Sequence, residues 1–417
     1  MTRPFQSALR LMLAIALLMN FCACSSAKRP PKSQAQLLAE REAVLTTIER
    51  GKERFDSKTI RRVIQEHRDA QASGTEIRPV FDILIVSGGG DYGAFGAGVL
   101  KGWGTLNDPA ETRPEFDIVT GVSTGSLIAP FAFIGTDEAI DEIYTLYTNP
   151  DEDWAVVRSG LFFLPSNSSL IDPSGLHEAL EHEFDIDKIT KVKGGWAEHR
   201  QLLVGTTNLD LGFMRIFDLT RIADEATQSN ELTYFHNVLK ASIAVPGAFP
   251  PVEIDGHLHV DGGATLSVFL PAPREMIIQG EMLQNQLPGD VSEPKFRIWA
   301  IVNNKLAEGP ENTGLSWLDN VARSLSTAIR SSVQLTLRDL ETITLLSRVK
   351  GQDVEFRYIC IPEEFEIPEA EALFDTDTMN ALGELGMRLG SDFENWQTQV
   401  PGPEWAVDFF PQTDAKP

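Results

Sequence analysis

Cysteine is nearly absent from this sequence: Cys22, Cys24 and Cys360 are the three in 417 residues. Two of them fall at the extreme N-terminus, so a scaffold held by several disulfides is excluded. Positive charge is scarce as well. Lys and Arg total 36 against 60 Asp and Glu, a formal net charge of −24. Phosphate backbones are bound by clustered Lys and Arg, so this balance argues against nucleic acid as a main partner. The same acidity opposes broad electrostatic adhesion to anionic lipid. Apolar groups or a covalent lipid are then the means left for any membrane attachment. Long hydrophobic runs are missing too: Leu11–Met19 (LMLAIALLM) is far too short to span a bilayer as a helix. Histidine stops early, with His257 and His259 the last of seven.

What is present starts with a leader. Arg3 and Arg10 precede the apolar run, and Phe21-Cys22-Ala23-Cys24-Ser25-Ser26 follows it. That stretch resembles a bacterial lipoprotein cleavage site, with small Ala23 before Cys24. Residues 1–23 are expected to be a signal peptide, and Cys24 the lipid-bearing first residue of the mature chain. The rival is ordinary secretory cleavage after Ala27. Ser25 and Ser26, with no Asp there, favour the periplasmic face of the outer membrane. Residues 24–35 are small, polar and Pro-containing, and suit a tether. Residues 36–78 read as a helical extension, with Leu37, Leu38, Val44, Leu45 and Ile48 at helical spacing. One main domain is expected over 79–395, with a C-terminal tail over 396–417.

Within that domain the pattern alternates strand and helix. Phe81–Val86 (FDILIV) reads as a buried strand running into Gly88-Gly89-Gly90, and Gly93–Trp103 as a helix. Phe116–Val122 is a second strand, Thr124–Ile134 and Asp137–Tyr147 helices, Gln201–Thr207 and Phe213–Leu219 paired strands. A helix over Leu232–Ala244 stops at Pro246-Gly247. Ile298–Val302 and Phe356–Ile361 are further buried strands, and Gly314–Leu346 a long helical stretch. This order means an α/β core with a largely parallel sheet.

Three motifs carry chemistry. Gly121-Val122-Ser123-Thr124-Gly125 is G-x-S-x-G between a predicted strand and helix, where a sharp turn lifts a nucleophilic hydroxyl clear of the sheet. Gly88-Gly89-Gly90-Asp91-Tyr92-Gly93 also follows a strand and opens a helix. Such a loop gathers backbone N–H groups that can hold an oxyanion. Its spacing equally fits the dinucleotide fingerprint G-x-G-x-x-G, but no acid stands at the end of the next strand to bind a ribose. Asp261-Gly262-Gly263 sets a carboxylate on an unhindered turn, and by itself is more often only a turn. An α/β-hydrolase triad runs Ser, acid, His along the chain. With no His after residue 259, that order is disfavoured. Glu178, Glu181, His182 and Glu183 read as an exposed helix face, not a metal site. Trp154–Pro165 is apolar and suits either a cap over the site or core.

Taken together and in this order, the three motifs resemble the patatin-like phospholipase family. Ala241–Val252 (ASIAVPGAFPPV) is similar to the family's segment before its catalytic Asp, and Phe374–Leu389 to its C-terminal helix. The resemblance covers about residues 80–390. It implies a three-layer α/β/α sandwich and a Ser–Asp dyad, Ser123 attacking an acyl ester while Asp261 takes its proton. It further implies an oxyanion hole from Gly88, Gly89, Gly90 and Gly93, no metal or organic cofactor, and phospholipids or related acyl-ester lipids as substrates. His257 and His259 share strand parity with Asp261 and are expected to be bystanders. Where the family usually carries Arg or Lys in the glycine loop, this chain has Tyr92. That departure motivates the alternative, a catalytically weak, membrane-tethered binding or scaffolding protein that keeps the fold.

Overall fold

The computed structural model describes residues 29–74, 80–151, 154–157, 169–270 and 287–402, less residues 289–290, 292–293, 308, 311 and 369–372. The expected signal peptide, Cys24 and most of Trp154–Pro165 lie outside the described residues.

The chain enters on a long helix, α1 (Gln34–Ala72), opened by a capping box in which Ser33 and Gln36 satisfy each other's backbone N–H groups. β1 (Val80–Val86) follows, buried almost throughout, as a continuous apolar run in a sheet interior must be. Then come α2 (Gly93–Trp103), β2 (Ile118–Val122), α3 (Thr124–Ile134) and α4 (Asp137–Thr148). Two short strands, β3 (Val156–Val157) and β4 (Ile171–Asp172), pair with each other. α5 (Ser174–Glu183) and α6 (Ile186–Ala197) lead to β5 (Gln201–Asn208) and β6 (Phe213–Asp218). α7 (Leu219–Ser229) and α8 (Thr233–Ser242) precede the hairpin of β7 (Val252–Ile254) and β8 (His257–Asp261). β9 (Lys295–Val302), α9 (Trp317–Val349), β10 (Val354–Cys360) and α10 (Thr376–Gly390) close the fold.

β10, β9, β1, β2 and β5 form a parallel sheet in that order, and β6, β8 and β7 add antiparallel pairings beyond it. Alternate residues serve opposite faces. Leu84 and Val86 of β1, with Trp299 and Ile301 of β9, face a core built with α2, α3, α4, α8 and α10. Phe81, Ile83 and Ile85, with Ile298, Ala300 and Val302, face a second core closed by Val63 of α1 and Val333, Leu337 and Leu340 of α9. This is the expected three-layer α/β/α sandwich.

One boundary differs from expectation, at the C-terminal end, and the N-terminal extension takes a definite place. Residues 36–72 form one unbroken helix that belongs to the outer layer of the domain. Arg62 on it reaches the buried Asp117 at 2.6 Å, and that carboxylate also accepts from the Asp82 N–H at 2.7 Å. At the other end, the expected tail begins inside the fold. Trp396 is buried against Trp103 and Trp299, and Gln397 pairs with the backbone of Tyr358. Among the described residues, no helix is long and apolar enough to cross a membrane.

α2 and α10 pack backbone to backbone. A Cβ on Gly98 would run into the Gly383 carbonyl, on Gly102 into Met387, on Gly386 into Phe95 and on Gly390 into Val99. Adding a methyl to so close a contact costs about 1–3 kcal/mol. Gly386→Ala should therefore lower the unfolding free energy measured in urea by about that amount. Gly194→Ala in α6, where nothing lies within 4 Å, should raise it, because Ala suits a helix interior better than Gly by about 0.5–1 kcal/mol.

Candidate active site

β2 ends at Val122, opposite Gly205 of β5, while β8 ends at Asp261, opposite Thr206. β6 occupies the far edge of β5 from Leu203 to Asn208. β2 and β8 therefore share the near edge. One runs parallel to β5 and the other antiparallel, so their C-terminal ends meet head-on. Ser123 follows β2 directly, and the strand pairing alone brings it to Asp261.

Ser123 has φ 55° and ψ −132°, a conformation costly for any residue with a side chain. Several contacts hold it there. Its N–H donates to Ser242 Oγ at 3.0 Å, and that hydroxyl donates to the Gly205 carbonyl at 2.8 Å. Its carbonyl accepts from the N–H and Oγ of Ser126 at 2.8 and 2.6 Å. The flanking glycines are required by close approach. A Cβ on Gly125 would strike the Val86 and Ser87 carbonyls, and one on Gly121 would strike Gly125 itself.

Asp261 is buried at the end of β8. Burial pushes its carboxyl up to about 6, against a hydrogen bond with the Ser123 side chain and another from the Gly263 N–H at 2.7 Å. At neutral pH it is an ionised acceptor in a dry place, within hydrogen-bonding reach of the hydroxyl. The two histidines are engaged elsewhere. His259 bonds with Thr206 Oγ1 at 2.8 Å and Asn208 Nδ2 at 3.2 Å, and burial lowers its pKa to about 4, so it is neutral. His257 bonds with Glu40 of α1 at 3.0 Å.

Gly88, Gly89 and Gly90 line the cleft that holds Ser123 and Asp261. Gly90 has φ +60°, which only glycine adopts without strain. Among the described residues, no backbone carbonyl takes the N–H of Gly89 or Gly90. Gly93 departs from expectation. Its N–H is bonded back to the Gly90 carbonyl, and a Cβ there would run into Thr124 and Tyr147. It is a packing glycine at the start of α2, not a free donor. The side chain of Tyr92 packs against the larger apolar core.

Two chambers meet at Ser123. One, of about 100 Å³, is almost wholly apolar, with walls that include Leu127, Phe131, Leu180, Phe184 and Phe249. Trp154 and Phe374, edge to face with ring centroids 5.7 Å apart, also line it. The other, of about 170 Å³, is more polar, with Ser267, Asn304 and Arg330 beside the glycine loop. Of the acids on α5, Glu181 pairs with Lys240, while Glu183 lies at the wall of the apolar chamber and pairs with Lys188. Sequence reasoning missed Ser242 and the α5 side chains that form the apolar wall. Ser242 lies in the Ala241–Val252 segment already singled out, but nothing local marks it as the support of the elbow.

A backbone-held serine, a dry carboxylate and a glycine loop in this geometry coincide with a family match. Residues 84–273 fit the model of the patatin-like phospholipases. That segment matches the patatin-like phospholipase family. An uncharacterized protein of Acanthamoeba polyphaga mimivirus is 29% identical over 190 residues, 44% of this chain and 58% of its own length. The chain thus spans little more than half of that relative. The crystal structure of VipD from Legionella pneumophila superposes with a TM-score of 0.31 at 13% identity, over 73% of this chain and 67% of that one.

If Asp261 takes the Ser123 proton, protonating it stops the reaction. Fluorophosphonate labelling of Ser123 should then fall as pH drops through about 6 and level off above it. A profile flat between about pH 5 and 8 would remove Asp261 as the base.

Proposed function

We propose that this chain is a serine lipid acyl hydrolase that cleaves acyl esters of phospholipids or related glycerolipids. The observation that carries the reading is the pairing of a strained serine, on the turn between β2 and α3, with a buried carboxylate at the junction of an apolar chamber and a polar one. The acyl chain enters the apolar chamber, where each buried CH₂ contributes roughly 0.8 kcal/mol. The glycerol and headgroup lie in the polar cleft. Ser123 Oγ attacks the ester carbonyl as Asp261 accepts its proton. The N–H groups of Gly89 and Gly90 hold the oxyanion, which is where preorganised donors contribute most. The proton passes to the departing alcohol, leaving an acyl-enzyme. Water, deprotonated by Asp261, then releases the fatty acid.

Ser123→Ala should abolish both ester hydrolysis and fluorophosphonate labelling without lowering the melting temperature, since the hydroxyl supplies chemistry and little packing. Asp261→Asn should be nearly inactive, because an amide is no base, while His257→Ala and His259→Ala keep most of their activity. A labelled Ser123→Ala protein, or an active Asp261→Asn, would reject the dyad.

The proposal extends to attachment through lipid on Cys24 at the periplasmic face of the outer membrane. Arg29, five residues further on, clamps Asp210 at 2.9 Å and the Gly256 carbonyl at 2.9 Å, and Lys32 reaches the same carbonyl at 3.1 Å. Those contacts seat the N-terminal segment on the β5–β6 turn and on the β7–β8 hairpin, the element that carries Asp261. An anchor at Cys24 would hold that end of the molecule near lipid. Cys24→Ala should move the protein from the membrane fraction to the soluble one or block its maturation; unchanged fractionation with normal processing would reject the anchor.

A further inference from the structure

We propose that Asn303, together with Ser87, is the positioning device of the oxyanion loop, and that it sets the direction in which the glycine N–H groups point. The inference rests on the hydrolase reading and names what keeps its loop in order.

In a trans peptide the C=O and the following N–H point in opposite directions. Holding a carbonyl therefore aims the next amide. Asn303 Nδ2 donates to the Ser87 carbonyl at 2.9 Å, which turns the Gly88 N–H the other way. Ser87 Oγ donates to the Gly88 carbonyl at 2.8 Å, with Asn304 Nδ2 further off at 3.5 Å, and this turns the Gly89 N–H away. The Tyr92 N–H donates to the Gly89 carbonyl at 3.2 Å, and so turns the Gly90 N–H away. Each of the three carbonyls is held on the protein side, and each amide is left to the cleft that Gly88, Gly89, Gly90 and Ser123 line.

Asn303 is the post of this arrangement. It stands directly after β9 and is fully buried. Its own N–H donates to Ser87 Oγ at 2.9 Å, which leaves that hydroxyl's proton for Gly88. Its backbone carbonyl presses on Gly89 so closely that a Cβ there could not be accommodated. Asn303 Oδ1 is buried with no hydrogen-bond partner among the described residues, a cost that packing does not require of an interior position. An amide is retained where an apolar residue would satisfy the core better, and its donor end is the part that acts. The clamp also accounts for Tyr92: with the loop held from Ser87 and Asn303, no cation at residue 92 is needed to anchor it.

The test uses the full chain and an activated short-chain ester. Asn303→Asp keeps the shape but replaces the donor by an acceptor facing the Ser87 carbonyl. It should lose about a hundredfold in kcat, as removal of an oxyanion donor does, with KM little changed. Affinity for a trifluoromethyl ketone, which forms a tetrahedral oxyanion on the serine, should fall in step with kcat. The pH midpoint near 6 should stay in place, because the Ser123–Asp261 pair is untouched. Ser87→Ala, a gentler change, should lose about tenfold by the same pattern and carries the test if Asn303→Asp does not fold. Folded variants with wild-type kcat, or a loss confined to KM, overturn the clamp and leave the dyad standing. A wild-type chain that turns over no ester overturns the hydrolase reading, and this inference with it.

Discussion

The near edge of β5 is the constraint on which the site depends. One strand offers Gln201–Gly205 to β2 and Thr206–Asn208 to β8, and the two arrive from opposite directions. No other arrangement of the observed pairings places a residue after β2 against the last residue of β8. The register is pinned from above as well, because Ser242 of α8 bonds both the Ser123 N–H and the Gly205 carbonyl. A slip of one residue would turn Asp261 to the opposite face of the sheet. That is why the buried pattern of β5, complete over all eight residues, matters to chemistry performed at its end.

The local costs of the site are met by packing around it. Ser123 adopts a strained backbone, Asp261 is a carboxyl in a dry place, and the glycines at 89, 121 and 125 leave no room for side chains. Such features persist where surrounding structure over-determines them. Here the sheet is covered on both faces, by α1 and α9 on one side and by the remaining helices on the other. The dryness that raises the pKa of Asp261 is the same dryness that makes loop amides effective toward an oxyanion.

Much of this was legible in the sequence, for reasons that can be stated. Buried strands ending in glycine turns announce themselves, so β1, β2, β5, β9 and β10 were expected close to where they lie. G-x-S-x-G and D-G-G carry their backbone demands locally, and Ser123 and Asp261 follow. Gly93 was misread because the spacing of residues 88, 90 and 93 does not distinguish an amide facing the cleft from a glycine wedged against Tyr147. The helical spacing of α1 suggested packing on the main domain, but the partners it packs against were not legible. Its pattern of charges with spaced apolar residues suits a surface helix, and the buried contacts of Arg62 and Val63 lie on partners far along the chain. Ser87, Ser242 and Asn303 were invisible for the same reason. A serine after a strand or an asparagine after another has no local signature, and its meaning comes from residues more than a hundred positions away.

The departure at Tyr92 bears on the electrostatics of the base. A cation near a carboxylate favours the ionised form and lowers its pKa. The pKa of Asp261 is set by burial against two hydrogen bonds, from Ser123 and from Gly263, with no cation contributing. Anchoring the glycine loop through a neutral amide and a hydroxyl keeps it so. If Asp261 is the base, a pKa of about 6 is close enough to neutrality to hold a proton in the transition state and far enough below it to be ionised beforehand. If the loop is held through Ser87 and Asn303 as proposed, the groups that aim its amides are neutral and add no charge beside Asp261.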